Sequence, residues 1–225
     1  MSETPRGLRA IVLAAIVLCI TISLTGARGQ DKNAGLRFAN VDPVRLNNDY
    51  GAMRTFREDA SKRADAFDVE QRVFNSNPLL PEADQKTLLD LTLKENIVGG
   101  PPLSPSEKDT KAKLVAQSNA LYDDAQRLQG TILGNVTEAD KKKQDSYIKA
   151  NADTKLRLDL HQKTIKSDLD QKFQEIDATY QKNLKEVLAK TAKDKNYAVI
   201  FNNQAVLYAE YDCTDDVLKA LNNKK

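Results

Sequence analysis

Tyr197-Ala-Val-Ile-Phe201, Asn202-Asn203, Ala205-Val-Leu-Tyr-Ala209 and Cys213-Thr-Asp-Asp-Val-Leu-Lys-Ala-Leu-Asn222 close a chain of 225 residues. The pattern predicts a strand, a two-residue turn, a second strand and a capped helix. Two strands joined this tightly do not persist alone in water and need a further partner. Leu36-Arg-Phe-Ala-Asn-Val41 is the other short run with strand-like alternation and bulky apolar residues. The two ends of the chain are therefore expected to meet, and everything between them must leave and return.

The middle reads as helix. Leu46, Met53, Ala60, Phe67 and Phe74 recur at steps of seven, with Tyr50 and Ala64 on the flanking position, one apolar seam suited to a coiled-coil partner. Asn75-Ser-Asn-Pro78 ends it, because a residue before proline is pushed out of the helical region. Pro81 then fits the first turn of a shorter helix from about Glu82 to Ile97 carrying Leu88, Leu89, Leu91 and Leu93. Gly99-Gly-Pro-Pro102 breaks the chain again. Ser104-Pro-Ser-Glu107 is a capping box, and the helix it starts carries Leu114, Leu121, Ala125, Leu128 and Ile132 on one side.

Gly130, Gly134 and Asn135 mark a third break, and Thr137-Glu-Ala-Asp140 is another start signal. From there to about Lys195 no proline or glycine occurs, which gives one helix of about 58 residues and about 87 Å. Its second half, Ile165, Leu169, Phe173, Ile176, Tyr180, Leu184 and Val187, repeats at eleven, the period of a straight or slightly right-handed rod. A helix this long needs another element beside it. The three pieces from Leu46 to Leu133 supply similar length in the opposite direction, so residues 46–195 are expected to form an antiparallel arm with its tip near 130–136. The fold class that follows is mainly α with a small β body, a coiled-coil hairpin projecting from short strands at 36–45 and 196–223.

The first residues read as an export signal: Arg6 and Arg9, the apolar run Ala10 to Leu24, then small residues at Gly26, Ala27 and Gly29. Residues 1–29 are expected to be cleaved, since the run is short for a membrane span; a retained anchor is the alternative. Their removal takes Arg6, Arg9, Arg28 and Glu3 from a total of 34 basic and 32 acidic residues and leaves the charges in balance. A neutral chain lacks the basic footprint that backbone binding to nucleic acid requires. Cys213 is then the sole cysteine, so no intramolecular disulfide forms. High charge, few aromatics and no Trp rule out one large globular core, yet the apolar residues are periodic, unlike those of a disordered chain.

Chemistry finds little support. His161 is the one histidine, in the middle of the charged long helix, and reads as a solvated residue, because metal or acid-base work needs converging partners that Asp159 and Asp168 do not supply. Gly99-Gly100 runs into prolines and makes no phosphate cradle, and no nucleophile elbow or cysteine-pair metal site is present. No enzyme activity and no cofactor are expected. Asn135-Val-Thr137 matches a glycosylation sequon of the kind that arises by chance. Lys141-Lys-Lys143 reads as a solvated first turn, with weak contact to an anionic membrane surface as the alternative. Cys213 reads as a packing residue rather than a redox group.

The strand ending in Val41-Asp42-Pro43, the long charged helical middle, the closing hairpin and Thr214-Asp-Asp-Val-Leu-Lys-Ala-Leu-Asn222, together with the signal-like start, resemble the Skp/OmpH family of periplasmic chaperones. The resemblance is sharp at about residues 36–50 and 186–223 and architectural between them. A three-stranded patch buries little surface, which favours burial against copies of the same chain over a core within one subunit. Leu36, Phe38, Val41, Val199, Phe201, Val206 and Tyr208 are the expected oligomerisation residues, and the resemblance implies a homotrimer. It also implies an ATP-independent periplasmic holdase that shelters unfolded outer-membrane polypeptides between helical arms. Ile97, Val98, Leu103, Ile132 and Leu133, near the breaks, are the candidates for client contact. A secreted coiled-coil spacer or tether of the cell envelope is the alternative reading.

Overall fold

The computed structural model describes residues 36–96, 101–130 and 137–224. The expected signal segment, Ile97 and Val98, and the expected tip with Ile132 and Leu133 lie outside the described residues. The elements are β1 (Arg37–Val41), α1 (Pro43–Asp49), α2 (Gly51–Ser76), α3 (Glu82–Asn96), α4 (Pro105–Gln129), α5 (Glu138–Lys195), β2 (Tyr197–Asn202), β3 (Tyr211–Asp212) and α6 (Thr214–Asn222). The chain is thus mainly α with a small three-stranded sheet, and it divides into two compact units. One takes in the described residues up to Ala60 and from Leu169 onward; the other is Ser61–Asp168.

Helix boundaries follow local chemistry. Asp42 caps α1 through Oδ1, which accepts from the amides of Val44 and Arg45 at 2.9 and 3.0 Å, with Pro43 at the first helical position. Ser104 and Glu107 form the expected capping box of α4. Thr137 and Asp140 cap α5 reciprocally, the Asp140 amide donating to Thr137 Oγ1 at 3.1 Å and the Thr137 amide to Asp140 Oδ2 at 3.2 Å. The far end of α5 stops at Asn196, whose φ of 54° lies in the left-handed region that asparagine tolerates better than most side chains. The long helix is 58 residues, as its uninterrupted sequence requires.

In the first unit, β1 is the middle strand of a sheet ordered β2-β1-β3, and both neighbours run parallel to it. The expected antiparallel hairpin is absent. Ala205–Ala209 is not a strand, and the second C-terminal strand is Tyr211–Asp212 on the opposite edge of β1. The short return suffices because β3 pairs only with Ala39 and Asn40, while β2 ends beside Val41. The chain therefore has to step back by about two residues, roughly 7 Å at strand rise. It leaves β2 through a turn in which Asn202 Oδ1 accepts from the Gln204 amide and the Ala205 amide donates to the Asn202 carbonyl, each at 2.9 Å.

The inner face of this sheet lies on a helical core. Ala39, Val41, Leu46, Tyr50, Met53, Tyr180, Leu184, Val187, Leu188, Cys213, Val217 and Leu221 form one buried cluster. Val217 and Leu221 sit one turn apart on α6 and are fully buried, which makes this short helix the lid of the core. Thr214 ties α6 to the strands: its Oγ1 accepts from the Asp42 amide at 2.9 Å and donates to Asp212 Oδ1 at 2.6 Å.

In the second unit, Phe67, Val69, Val73, Phe74, Leu80, Leu88, Leu114 and Leu158 form a separate cluster drawn from α2, the break after it, α3, α4 and α5. The helix pieces do not run in single file as the sequence suggested. Gln117 of α4 donates to Asp84 at 3.1 Å, and at the other end Lys94 pairs with Glu107 at 2.6 Å and Glu95 with Lys111. Those pairings make α3 and α4 antiparallel, so α3 doubles back. Doubling back is what gives Leu88 and Leu91 an apolar partner; in single file one face of α3 would stay wet.

Candidate functional site

Alternation along β1 separates two faces of the sheet. Ala39 and Val41 enter the subunit core, whereas Phe38 is 38% exposed. Register carries the division to β2, where Val199 is opposite Phe38 and Phe201 opposite Asn40. The register shifts between Arg37 and Phe38, leaving Ala198 as an extra residue; this bulge lets Tyr197 and Ile200 both pack on the core. The outer face that results carries Phe38, Val199 and Phe201, with the Phe38 and Phe201 rings 6.1 Å apart. Leu36 adjoins them at 63% exposure.

The segment that crosses from β2 to β3 adds Val206, half-buried, and then Leu207 and Tyr208, which are 108% and 83% exposed. Among the described residues neither side chain is covered, so both present large apolar surface. Val41, one of the seven residues expected to form an oligomerisation core, does not lie on this outer face. At 7% exposure it belongs to the buried cluster of its own subunit, because it shares the inward parity of Ala39. The expectation that this patch has no core of its own is corrected on its inner face.

Asp212, paired with Asn40, brings one exposed carboxylate to the outer side at the β3 edge, and other charges frame the sheet. Arg37 lies between the two edge strands, its guanidinium 4.3 Å from the Tyr211 ring and 5.4 Å from the Tyr197 ring, and donates to the Lys195 carbonyl at 3.0 Å. Lys195 pairs with Asp216 at 3.0 Å, which raises its pKa. Cys213 is buried. Its Sγ–H donates to the Asn40 carbonyl at 3.2 Å, and burial pushes the thiol up to about 11. It acts as a small packing group, as expected from its position.

The second unit presents a different apolar surface. Ile148, Leu156 and Leu160 on α5 are 61%, 57% and 53% exposed, and with Ala152 they follow one another at steps of four, which makes a ridge along the helix. Val115 and Tyr122 are exposed on α4. None of these was singled out in the sequence; the signal is a set of apolar residues lying off the stripe marked by buried Thr154 and Leu158. Leu103, expected to touch clients, is 5% exposed and lies closed within the described structure.

The remaining candidates find local partners. His161 is exposed, as its place on the charged helix suggests, and finds partners there: Nδ1 is 2.7 Å from Glu70 Oε2, and the ring meets Phe67 edge-on at 5.8 Å. Lys141 pairs with Glu138 and Lys143 with Asp124, each at 2.7 Å. Asp124 also accepts from Tyr147 at 2.8 Å and from Arg127 at 3.0 Å, and these donors hold its carboxyl far below the usual range. Lys141 thus pairs within α5, and Lys143 ties α5 to α4. Among the described residues, no cluster of His, Cys, Asp or Glu is placed to hold a metal ion, and no helix is long and apolar enough to cross a membrane.

A family model described as outer membrane protein (OmpH-like) matches residues 102–221, a stretch that runs from just before α4 through α5, β2 and β3 into α6. No curated protein and no solved structure matches the chain.

Proposed function

Since the chain belongs to the OmpH-like family, whose model matches more than half of it, we propose that it is a chaperone of outer-membrane proteins that works by holding rather than by catalysis. The family match is the observation that carries the reading. The protein is exported to the periplasm, loses residues 1–29 and assembles as a homotrimer. Leu36, Phe38, Val199, Phe201, Val206 and Tyr208 form the association face, supported by an outer sheet surface that no element covers among the described residues. Unfolded outer-membrane polypeptides are retained without ATP through many weak contacts along the helices, where multivalency supplies affinity that no single contact has. Ile97, Val98, Ile132 and Leu133 remain contact candidates, and the exposed ridge of Ile148, Leu156 and Leu160 joins them.

A dilution assay tests this. A urea-denatured outer-membrane β-barrel protein is diluted into buffer with stoichiometric purified protein, and light scattering is followed. Suppressed scattering without nucleotide is expected; scattering equal to that of the client alone would overturn the reading.

A further inference from the structure

Polar atoms interrupt the apolar cluster of the second unit. Gln85 and Thr154 are 0% and 1% exposed. Gln85 Nε2 donates to the Asn77 carbonyl at 2.8 Å and to Thr154 Oγ1 at 3.2 Å, and its Oε1 accepts from Arg157. Thr154 Oγ1 donates onward to the Pro78 carbonyl at 3.1 Å. Arg157 spends its other terminal nitrogen on Glu82 at 2.6 Å and lies 5.9 Å over the Phe74 ring. One knot therefore joins the end of α2, the break at Asn77–Pro81, the start of α3 and the middle of α5.

This knot is an expensive way to gain stability. Arg157 Nε is buried without a hydrogen-bond partner among the described residues, and well-packed apolar side chains of similar volume are usually as stabilising as a buried polar network or more so. What polar groups add is discrimination. The apolar face of α3 is built from Leu88, Leu89, Leu91 and Leu93, and leucine against leucine packs with similar energy after a slip of one or two turns. The amide of Gln85 meets the Asn77 carbonyl, Thr154 and Arg157 in one register only, and any slip leaves buried donors and acceptors unpaired.

We infer that Gln85, Thr154 and Arg157 form a register lock that fixes α3 in its doubled-back position against α5. The break at Asn77–Pro81 is then a fixed corner and not a hinge, and the α3 leucines stay inside the unit. The inference does not depend on the chaperone reading.

Cysteine pairs read the register of α3 against α5. Glu82 touches Arg157 in the structure, so Glu82→Cys with Arg157→Cys reports the native register, and Glu82→Cys with Ala150→Cys or Thr164→Cys reports a slip of two turns either way. With Gln85 and Thr154 in place, a short bis-maleimide links 82 to 157 and leaves the slipped pairs apart. In the Gln85→Leu/Thr154→Val background, a slipped link rises to a yield comparable with the 82–157 link, while the melting temperature holds or increases. Thr154→Val alone shows the same change at lower yield. Exclusive 82–157 linkage in the folded Gln85→Leu/Thr154→Val protein would overturn the inference. So would a Gln85→Leu/Thr154→Val protein that fails to fold while Thr154→Val keeps the 82–157 link alone, since the network would then serve stability and not register.

Discussion

The side-chain amide of Asn222 splices the chain at Gly51: Oδ1 accepts from the Gly51 amide at 2.8 Å, and Nδ2 donates to the Asp49 carbonyl at 3.3 Å. Leu46, Tyr50 and Met53 are all buried on one apolar seam, so their spacing alone allows a single helix from Pro43 to Ser76. The last residue of α6 divides it instead, by satisfying backbone groups on both sides of Tyr50. Arg57 assists from α2, donating to the carbonyls of Asn47 and Asn48 at 3.2 and 3.3 Å. The C-terminal helix therefore sets where the first long helix begins.

Asn222→Ala removes a helix cap and is expected to cost about 1 kcal/mol in chemical denaturation. A methyl at position 51 would meet Asn222 Oδ1 at 3.4 Å, an ordinary contact, and Gly51 has no positive φ. Gly51→Ala is therefore expected to be neutral or to stabilise by up to about 0.5–1 kcal/mol through the unfolded chain. Losses of equal size from the two substitutions would show that the splice is not the determining contact.

The two faces of the sheet respond differently. Phe38→Asp places a charge on the outer face and is expected to weaken self-association while leaving far-ultraviolet circular dichroism unchanged. Leu221→Ala empties a fully buried site in the subunit core and is expected to cost roughly 2–5 kcal/mol of folding stability. Sedimentation and denaturant titration of both variants check the assignment, which fails if Phe38→Asp associates as the parent does.

Acid should loosen the second unit. Hydrogen bonds from Lys94 and Ser104 hold the Glu107 carboxyl down at about 2, and the Thr137 cap and the Lys143, Tyr147 and Arg127 donors lower Asp140 and Asp124. Each folded pKa lies below its unfolded value, so the unfolded chain takes up protons first as pH falls. The stability these groups contribute is complete above about pH 4.5 and is lost as pH falls toward about 2. Protection factors of the amides in α4 and at the start of α5, taken relative to intrinsic exchange at each pH, are expected to fall over that window, and Glu107→Gln should flatten its own share. Protection factors unchanged between pH 5 and pH 2.5 would contradict the ion pairs.

Cys213 should resist alkylation in the folded protein. With the thiol raised to about 11, it stays protonated and closed at pH 8. Modification by iodoacetamide, mapped to its peptide, is expected at the rate of unfolding. Rapid modification of folded protein would show that α6 does not cover it.

What the sequence made legible was whatever depends on neighbours along the chain. The caps at Ser104 and Thr137, the unbroken run to Lys195 and the seam from Leu46 to Phe74 are local, and all appear. Three features depend on distant residues and were hidden. Ala205–Ala209 alternates like a strand, but β1 leaves room at its other edge for Tyr211–Asp212. The division at Tyr50 is imposed by Asn222, and the doubling back of α3 by Gln85 and Thr154, polar residues that an apolar count passes over. On β1, Phe38 and Val41 look alike in sequence, and only the parity of the strand sends one outward and the other into the core.

Native mass spectrometry of the mature protein mixed with one unfolded outer-membrane β-barrel polypeptide tests the central claim most directly. The predicted species is three copies of the chain holding one client, with no nucleotide present. Dimers, open-ended assemblies, or a trimer that never carries the client would contradict it.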